Sequence, residues 1–334
     1  GQTKFGEDAL SRLFFRTVIP SSSPICPDGA SEAMEPALPN VLPPELLYKV
    51  PWSTVFTLAS EDLHTNLSLL LVCHTAHDWV LPLLYNTISL SSHAQIVSFF
   101  VAHDTLQEPH MHRLRLVRNL WLGPQANTSD SSLFYGSNAW PLTIIHRILY
   151  FCTNVESLYL INLDQNEWFR LENVIPSSVK RLAMGPVHGP FILKNLNHCP
   201  HIESFTSALS FMRDDEVKEI VTYPHMREFR RILQAHPLAS VSDILVDQLP
   251  CVSASQTLES MRFEICGPQE RAFGLLGTIT AKIQERHVDA RITASRVAQE
   301  DWMAYLHHEF MSLRSAHVCT STRMSGRCPK LMTD

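Results

Sequence analysis

Several clusters in this 334-residue chain hold residue types that can bind a metal or move a proton. Cys73-His74-x-x-His77 offers a thiol and two imidazoles, and His198-Cys199-Pro200-His201 offers the same set more tightly spaced. Zinc asks for four ligands, usually delivered as two separated pairs. Cys73, His74 and His77 instead lie inside an apolar run at helical spacing, which points to packing. His307-His308-Glu309 lacks the His-Glu-x-x-His spacing that sets two imidazoles on one helix face. No Gly-x-Ser-x-Gly elbow and no Gly-Lys-Ser/Thr loop occurs. The richest glycine segment, Gly185-Pro186-Val187-His188-Gly189-Pro190, carries two prolines, which remove N–H donors that a phosphate would need. It reads as a turn. No catalytic residue, metal or cofactor is expected, and the chain is read as not an enzyme.

The elements around these residues follow a repeated kernel: apolar, two polar residues, apolar, any, apolar. It occurs at Val117-Arg118-Asn119-Leu120-Trp121-Leu122 and at Val155-Glu156-Ser157-Leu158-Tyr159-Leu160. It recurs from Val179 to Met184, around Ile202-Glu203-Ser204-Phe205 and Met226-Arg227-Glu228-Phe229, and from Leu258 to Phe263. Leu158 to Leu182 is 24 residues, Leu182 to Phe205 is 23 and Phe205 to Phe229 is 24, with longer outer gaps of 38 and 32. Successive strand side chains point to opposite faces. Leu158 and Leu160 are therefore expected in the core, with Tyr159 facing out. The equivalent outward row is Trp121, Tyr159, Ala183, Thr206, Arg230 and Arg262. A period in the twenties with one short strand per unit resembles leucine-rich repeats. That resemblance covers roughly residues 112–295 and implies an α/β solenoid of parallel strands whose concave row binds a target protein. The alternative is a set of short strands in an irregular α/β domain. Short helices are predicted over Asp214–Ile220, Gln269–Arg286 and Gln299–Leu313, the last closing an end of the solenoid. Arg291-Ile292-Thr293 is predicted as a last strand.

A different pattern precedes the repeats. Leu42-Pro43-Pro44-Glu45-Leu46-Leu47 reads as a helix start, because proline at the first helical position loses no hydrogen bond and the acid faces the positive end of the dipole. An apolar stripe follows through Leu67, Leu70, Leu71 and His74, then Trp79, Leu83 and Leu84. The start, together with Leu69-Leu70-Leu71-Val72-Cys73, resembles an F-box, a helical module that docks onto the adaptor subunit of SCF-type ubiquitin ligases. The resemblance implies adaptor contact through Leu42, Pro43, Pro44, Leu46, Leu47, Leu70 and Val72. It makes the chain a substrate-recognition subunit of such a ligase, with an unknown target protein on the repeat face. Leu42 and Cys73 stand farther apart than in the family, with the excess around Pro51-Trp52-Ser53-Thr54. That spacing favours a second reading, a repeat-type scaffold without ligase attachment. A third is an α/β enzyme with an unrecognised site.

Composition bounds the rest. A 45% hydrophobic content is that of a globular protein, and a net charge of −6 gives no support for nucleic-acid binding. No uninterrupted apolar run reaches membrane-spanning length. Eight cysteines spread through the chain read as reduced thiols, which suits a cytoplasmic or nuclear location. The expected organisation is a flexible leader over 1–40, the helical module over 41–92, the repeat domain over 112–313 and a disordered tail over 314–334.

Overall fold

Each copy of the kernel alternates side chains between two covered faces, and each copy forms one strand. The structure, a computed structural model, describes residues 63–72, 74–103, 112–126, 132–186, 191–235, 248–285 and 289–324. The chain divides into two compact units, residues 1–81 and 82–334.

In the first unit, α1 spans Leu63–Leu69, and α2, His74–Asn86, begins. Leu70, Leu71 and Val72 form a turn between them, closed by N–H groups of Leu71 and Val72 donating to Ser68 and Leu69 carbonyls at 3.1 and 3.2 Å. The stripe expected through Leu67, Leu70, Leu71 and His74 is therefore interrupted, because those three-residue bonds tighten and end α1. The boundary between the units falls inside α2 at Leu81–Pro82, where the proline removes one helical hydrogen bond.

The second unit is built on one eight-stranded sheet in chain order, β1 to β8, every pair parallel. The strands are β1 Thr87–Leu90, β2 Asn119–Leu122, β3 Ser157–Ile161, β4 Arg181–Gly185, β5 Ser204–Ala208, β6 Glu228–Gln234, β7 Ser260–Cys266 and β8 Ile292–Arg296. Parallel strands need crossovers. These are α3 His93–His103, α4 Leu142–Phe151, α5 Gln165–Trp168, α6 Asp214–Val221 and α7 Gln269–Glu285, with short 3-10 turns at Glu172–Val174, Leu193–Asn195 and Leu249–Ala254. In α4 the buried residues Ile145, Ile148 and Leu149 recur at helical spacing. In α6, Asp214, Asp215 and Glu216 fill the first turn, and Glu216 Oε2 accepts the Arg213 N–H at 2.7 Å.

The register aligns one apolar place across the whole sheet: Ile88, Leu120, Leu158, Leu182, Phe205, Phe229, Met261 and Ile292. All are buried. The opposite face is buried from β2 to β6, at Trp121, Tyr159, Ala183, Thr206 and Arg230, as expected of a parallel sheet covered on both sides, and opens at its margins, at Ser89, Arg262 and Thr293. Gly185 is required where β4 meets β5, since a Cβ there would stand 2.6 Å from the Ala208 carbonyl oxygen.

Two boundaries and one placement differ from the sequence reading. Thr87–Leu90, placed in the 41–92 module, is the first strand of the sheet. The terminal helix α8 runs Trp302–Met324, so the tail expected from 314 is helical through Met324. That helix lies against the sheet face instead of closing an end. The 1–40 leader and residues 325–334 fall outside the described residues. Among the described residues, no helix is long and apolar enough to cross a membrane.

Candidate interaction surface

The outward row of the kernel is aligned by register, from Trp121 through Tyr159, Ala183, Thr206 and Arg230 to Arg262. It is not open, as the sequence reading expected. Trp121, Tyr159, Ala183, Thr206 and Arg230 are all buried. Trp302, Met303, Leu306 and Phe310 of α8 pack into one cluster with Trp121, Tyr159, Ile161, Ala183, Ala208, Ile232 and Cys266. The row is rich in aromatic and aliphatic groups, and a face of that composition is stable only when covered. Trp121 stacks on Tyr159 with ring centroids 5.4 Å apart, and Phe310 meets them at 5.6 and 5.1 Å. Burial, reinforced by the nearby Glu309 charge, pushes the Tyr159 phenol up to about 12.

The polar end of the row is closed by charge. Arg230 donates to both carboxylate oxygens of Glu309 on α8 at 2.6 and 2.8 Å, and to Glu264 on β7 at 2.7 Å. The Tyr305 hydroxyl donates to the same Glu264 oxygen at 3.0 Å. Burial would lower the Arg230 pKa, but the Glu309 and Glu264 carboxylates more than reverse it, so the group is held charged. At the other flank His307 on α8 reaches Ser89 on β1 at 3.1 Å and meets the Trp121 ring edge-on at 4.9 Å. Thus α8 touches strands near both ends of the sheet.

Magnitudes decide whether α8 is a lid or part of the core. Burying Met303, Leu306 and Phe310 stabilises by about 1.5–3 kcal/mol each, and Trp302 adds a larger area. Their sum is comparable with the net stability of a whole domain, about 5–15 kcal/mol. The helix is therefore core, and the surface left for a partner is the margin of this face.

That margin carries a pattern the sequence reading did not use. The first polar place of the kernel holds Arg118, Glu156, Lys180, Glu203, Arg227 and Glu259, alternating in sign. Each N–H donates to the preceding member's carbonyl, from Glu156 to Arg118 at 2.7 Å through Glu259 to Arg227 at 2.7 Å. Side chains pair along the ladder: Arg118 with Glu156 at 3.3 Å, Lys180 with Glu156 at 3.6 Å and Arg227 with Glu259 at 3.6 Å. Arg262, the one member of the predicted row that remains partly exposed, joins this margin by pairing with Glu228. The signal was present in the kernel, but it appears only when the charges of its first polar place are compared between copies.

Of the residues expected to contact an adaptor, Leu42, Pro43, Pro44, Leu46 and Leu47 lie outside the described residues, as does Cys73. Leu70 and Val72 lie in the turn after α1, Val72 exposed. Among the described residues, no group of three or more His, Cys, Asp or Glu is placed to hold a metal. Cys152 and Cys266 are buried, with thiols pushed up to about 12 by burial. No family model, curated protein or solved structure matches this chain.

Proposed function

We propose that this chain is a substrate-recognition subunit of an SCF-type cullin ubiquitin ligase, built from an F-box-like segment and a leucine-rich-repeat-like domain. The observation that carries the second half is the sheet: eight parallel strands in chain order, with one kernel place aligned through β2 to β7. Stacked units of that kind present rows of side chains suited to protein recognition. The first half rests on the sequence, on Leu42, Pro43, Pro44, Leu46, Leu47, Leu70 and Val72 as adaptor contacts. The chain would do no chemistry itself. It would hold a target close to the charged enzyme, where tethering raises the effective concentration of the target's lysines. With the middle of the row occupied by α8, target contacts fall to Arg262 and the charged margin. Such a subunit works in the cytoplasm or nucleus.

The test is co-expression of the full chain with the adaptor subunit, followed by size-exclusion chromatography. One-to-one co-elution, lost on changing Leu46→Ala with Leu47→Ala, is the expected result, since each buried leucine is worth roughly 1.5–3 kcal/mol. Co-elution that survives the double change removes the F-box reading. Separate elution of a folded chain leaves a repeat-type scaffold without ligase attachment, the reading favoured by the long spacing around Pro51.

A further inference from the structure

We infer that a groove at the amino edge of the sheet is a binding site for an oxyanion carried on an aromatic body, of the kind an aryl phosphate ester presents. The groove has a volume of about 440 Å³, within the range of small-ligand sites. It is lined by Arg115 ahead of β2, Leu149 to Phe151 and Thr153 ahead of β3, Val174, Pro176 and Ser177 ahead of β4, and His198 ahead of β5. Four successive crossovers therefore build one site, on elements fixed by the sheet.

The lining chemistry selects the ligand. No aspartate or glutamate lines the groove, although the whole chain carries a net charge of −6. Arg115 is exposed, and no described residue pairs with its guanidinium. An uncommitted guanidinium offers a planar fork that matches a carboxylate or phosphate. The hydroxyls of Thr153 and Ser177 and the imidazole of His198 also have no hydrogen-bond partner among the described residues. Donors for an anion's remaining oxygens are thus present on the same walls. The aromatic part of the ligand is matched by Tyr150, which is 65% exposed and edge-on to Phe151 at 5.3 Å. Amphipathic aromatics in this condition are preferred contact groups. The negative end of α4 lies beside the groove and would oppose an anion. Two of its last carbonyls are already occupied: Ile148 accepts the Cys152 N–H and Phe151 accepts the Thr153 N–H, both at 2.9 Å.

This site does not depend on the ligase reading, because neither the adaptor nor the 41–92 segment takes part. The experiment is calorimetric titration of the full chain with phenyl phosphate, inorganic phosphate and phenol in turn. Phenyl phosphate is expected to bind saturably, about tenfold or more tighter than either fragment. Arg115→Met should weaken it by about tenfold, with an unchanged melting temperature because the side chain is exposed. Tyr150→Ser should bring its affinity down towards that of inorganic phosphate. Equal binding by the Arg115→Met chain, equal binding of phenol, or no saturation at millimolar ligand overturns the site. A phosphotyrosine peptide then separates the sources: tighter binding than phenyl phosphate assigns the anion to a target protein, and equal binding to a small phosphoester. Loss of adaptor co-elution would leave these outcomes untouched, so the two readings fail separately.

Discussion

Arg230 and Arg231 are neighbours on β6, and they show the two faces of the sheet solving one problem differently. Both are buried. Arg230 faces α8 and is held by two carboxylates, Glu309 and Glu264. Arg231 faces the crossovers and is held by neutral acceptors, Gln248 Oε1 at 2.6 Å and the Ser210 carbonyl at 3.1 Å. The contrast appears in their protonation. The carboxylates raise the Arg230 pKa in spite of burial, whereas burial alone lowers that of Arg231 to about 10. On one face the charge locks a helix to the sheet. On the other the guanidinium serves as a hydrogen-bond hub joining the loop after β5 to the turn before β7. Opposite charges across the α8 interface make it specific as well as apolar.

Breaking that contrast gives the largest expected effects. Arg230→Met leaves Glu264 and Glu309 without their cation and should cost about 3–5 kcal/mol, the usual result of removing one partner from a buried pair. Arg231→Met leaves only neutral acceptors unsatisfied and should cost about 1–3 kcal/mol, reduced because a charge no longer has to be buried. Urea denaturation of both variants checks the order. Equal losses would mean that the ion pairs contribute nothing beyond hydrogen bonding. Phe310→Ala tests whether α8 is core: about 3–5 kcal/mol should be lost, in a single transition shared by sheet and helix. An unfolding of α8 alone, seen as amide exchange confined to 302–324, would make the helix a detachable cover and reopen the whole row to partners.

Much of this sheet could be read from the chain. The kernel placed β2 to β7 and their register, because one alternation serves both strand geometry and burial. β1 was missed although Tyr85-Asn86-Thr87-Ile88-Ser89-Leu90 has the same pattern, since the stretch had been assigned to the helical module. The covering of the row was not legible. Trp121 and Tyr159 stand at positions that the period marks as outward, and nothing local shows that a helix beginning 181 and 143 residues later in the chain will cover them. Trp302, Leu306 and Phe310 fall at helical spacing within the predicted Gln299–Leu313 helix, but that spacing does not name the surface they meet. The groove at Arg115 and Tyr150 was invisible for a similar reason, being assembled from residues of four crossovers that lie outside the repeated kernel.

His307 turns the comparison into a pH dependence. It sits between α8 and the first two strands, against Ser89, Trp121 and Phe310, with no carboxylate among those contacts. Burial lowers its pKa from the ordinary 6.5. The unfolded chain therefore binds the proton more readily than the folded one, and stability should fall as pH drops below about 6.5, levelling off once the folded imidazole is also charged. His307→Gln should flatten that slope in melting curves between neutral pH and pH about 5. A slope unchanged by the substitution would place the acid sensitivity elsewhere.

The smallest effect belongs to the charged margin, and its size discriminates between two uses of charge. Glu156 pairs with both Arg118 and Lys180, with its side chain 37% exposed. Glu156→Ala should cost only about 0.2–1 kcal/mol, an effect that salt removes, because exposed pairs gain little over their hydration. Glu156→Lys should cost more, since it sets like charges side by side on three adjacent strands. If Glu156→Ala proved as costly as Arg230→Met, the ladder would be a structural element equal to the α8 interface. The small value instead leaves these side chains free to exchange their partners for those of a bound protein. Register in this sheet is already fixed by the apolar place beside the ladder, so alternation of sign is not needed to hold the strands. What alternation does achieve is a margin with little net charge, on which Arg115, unpaired among the described residues, stands out.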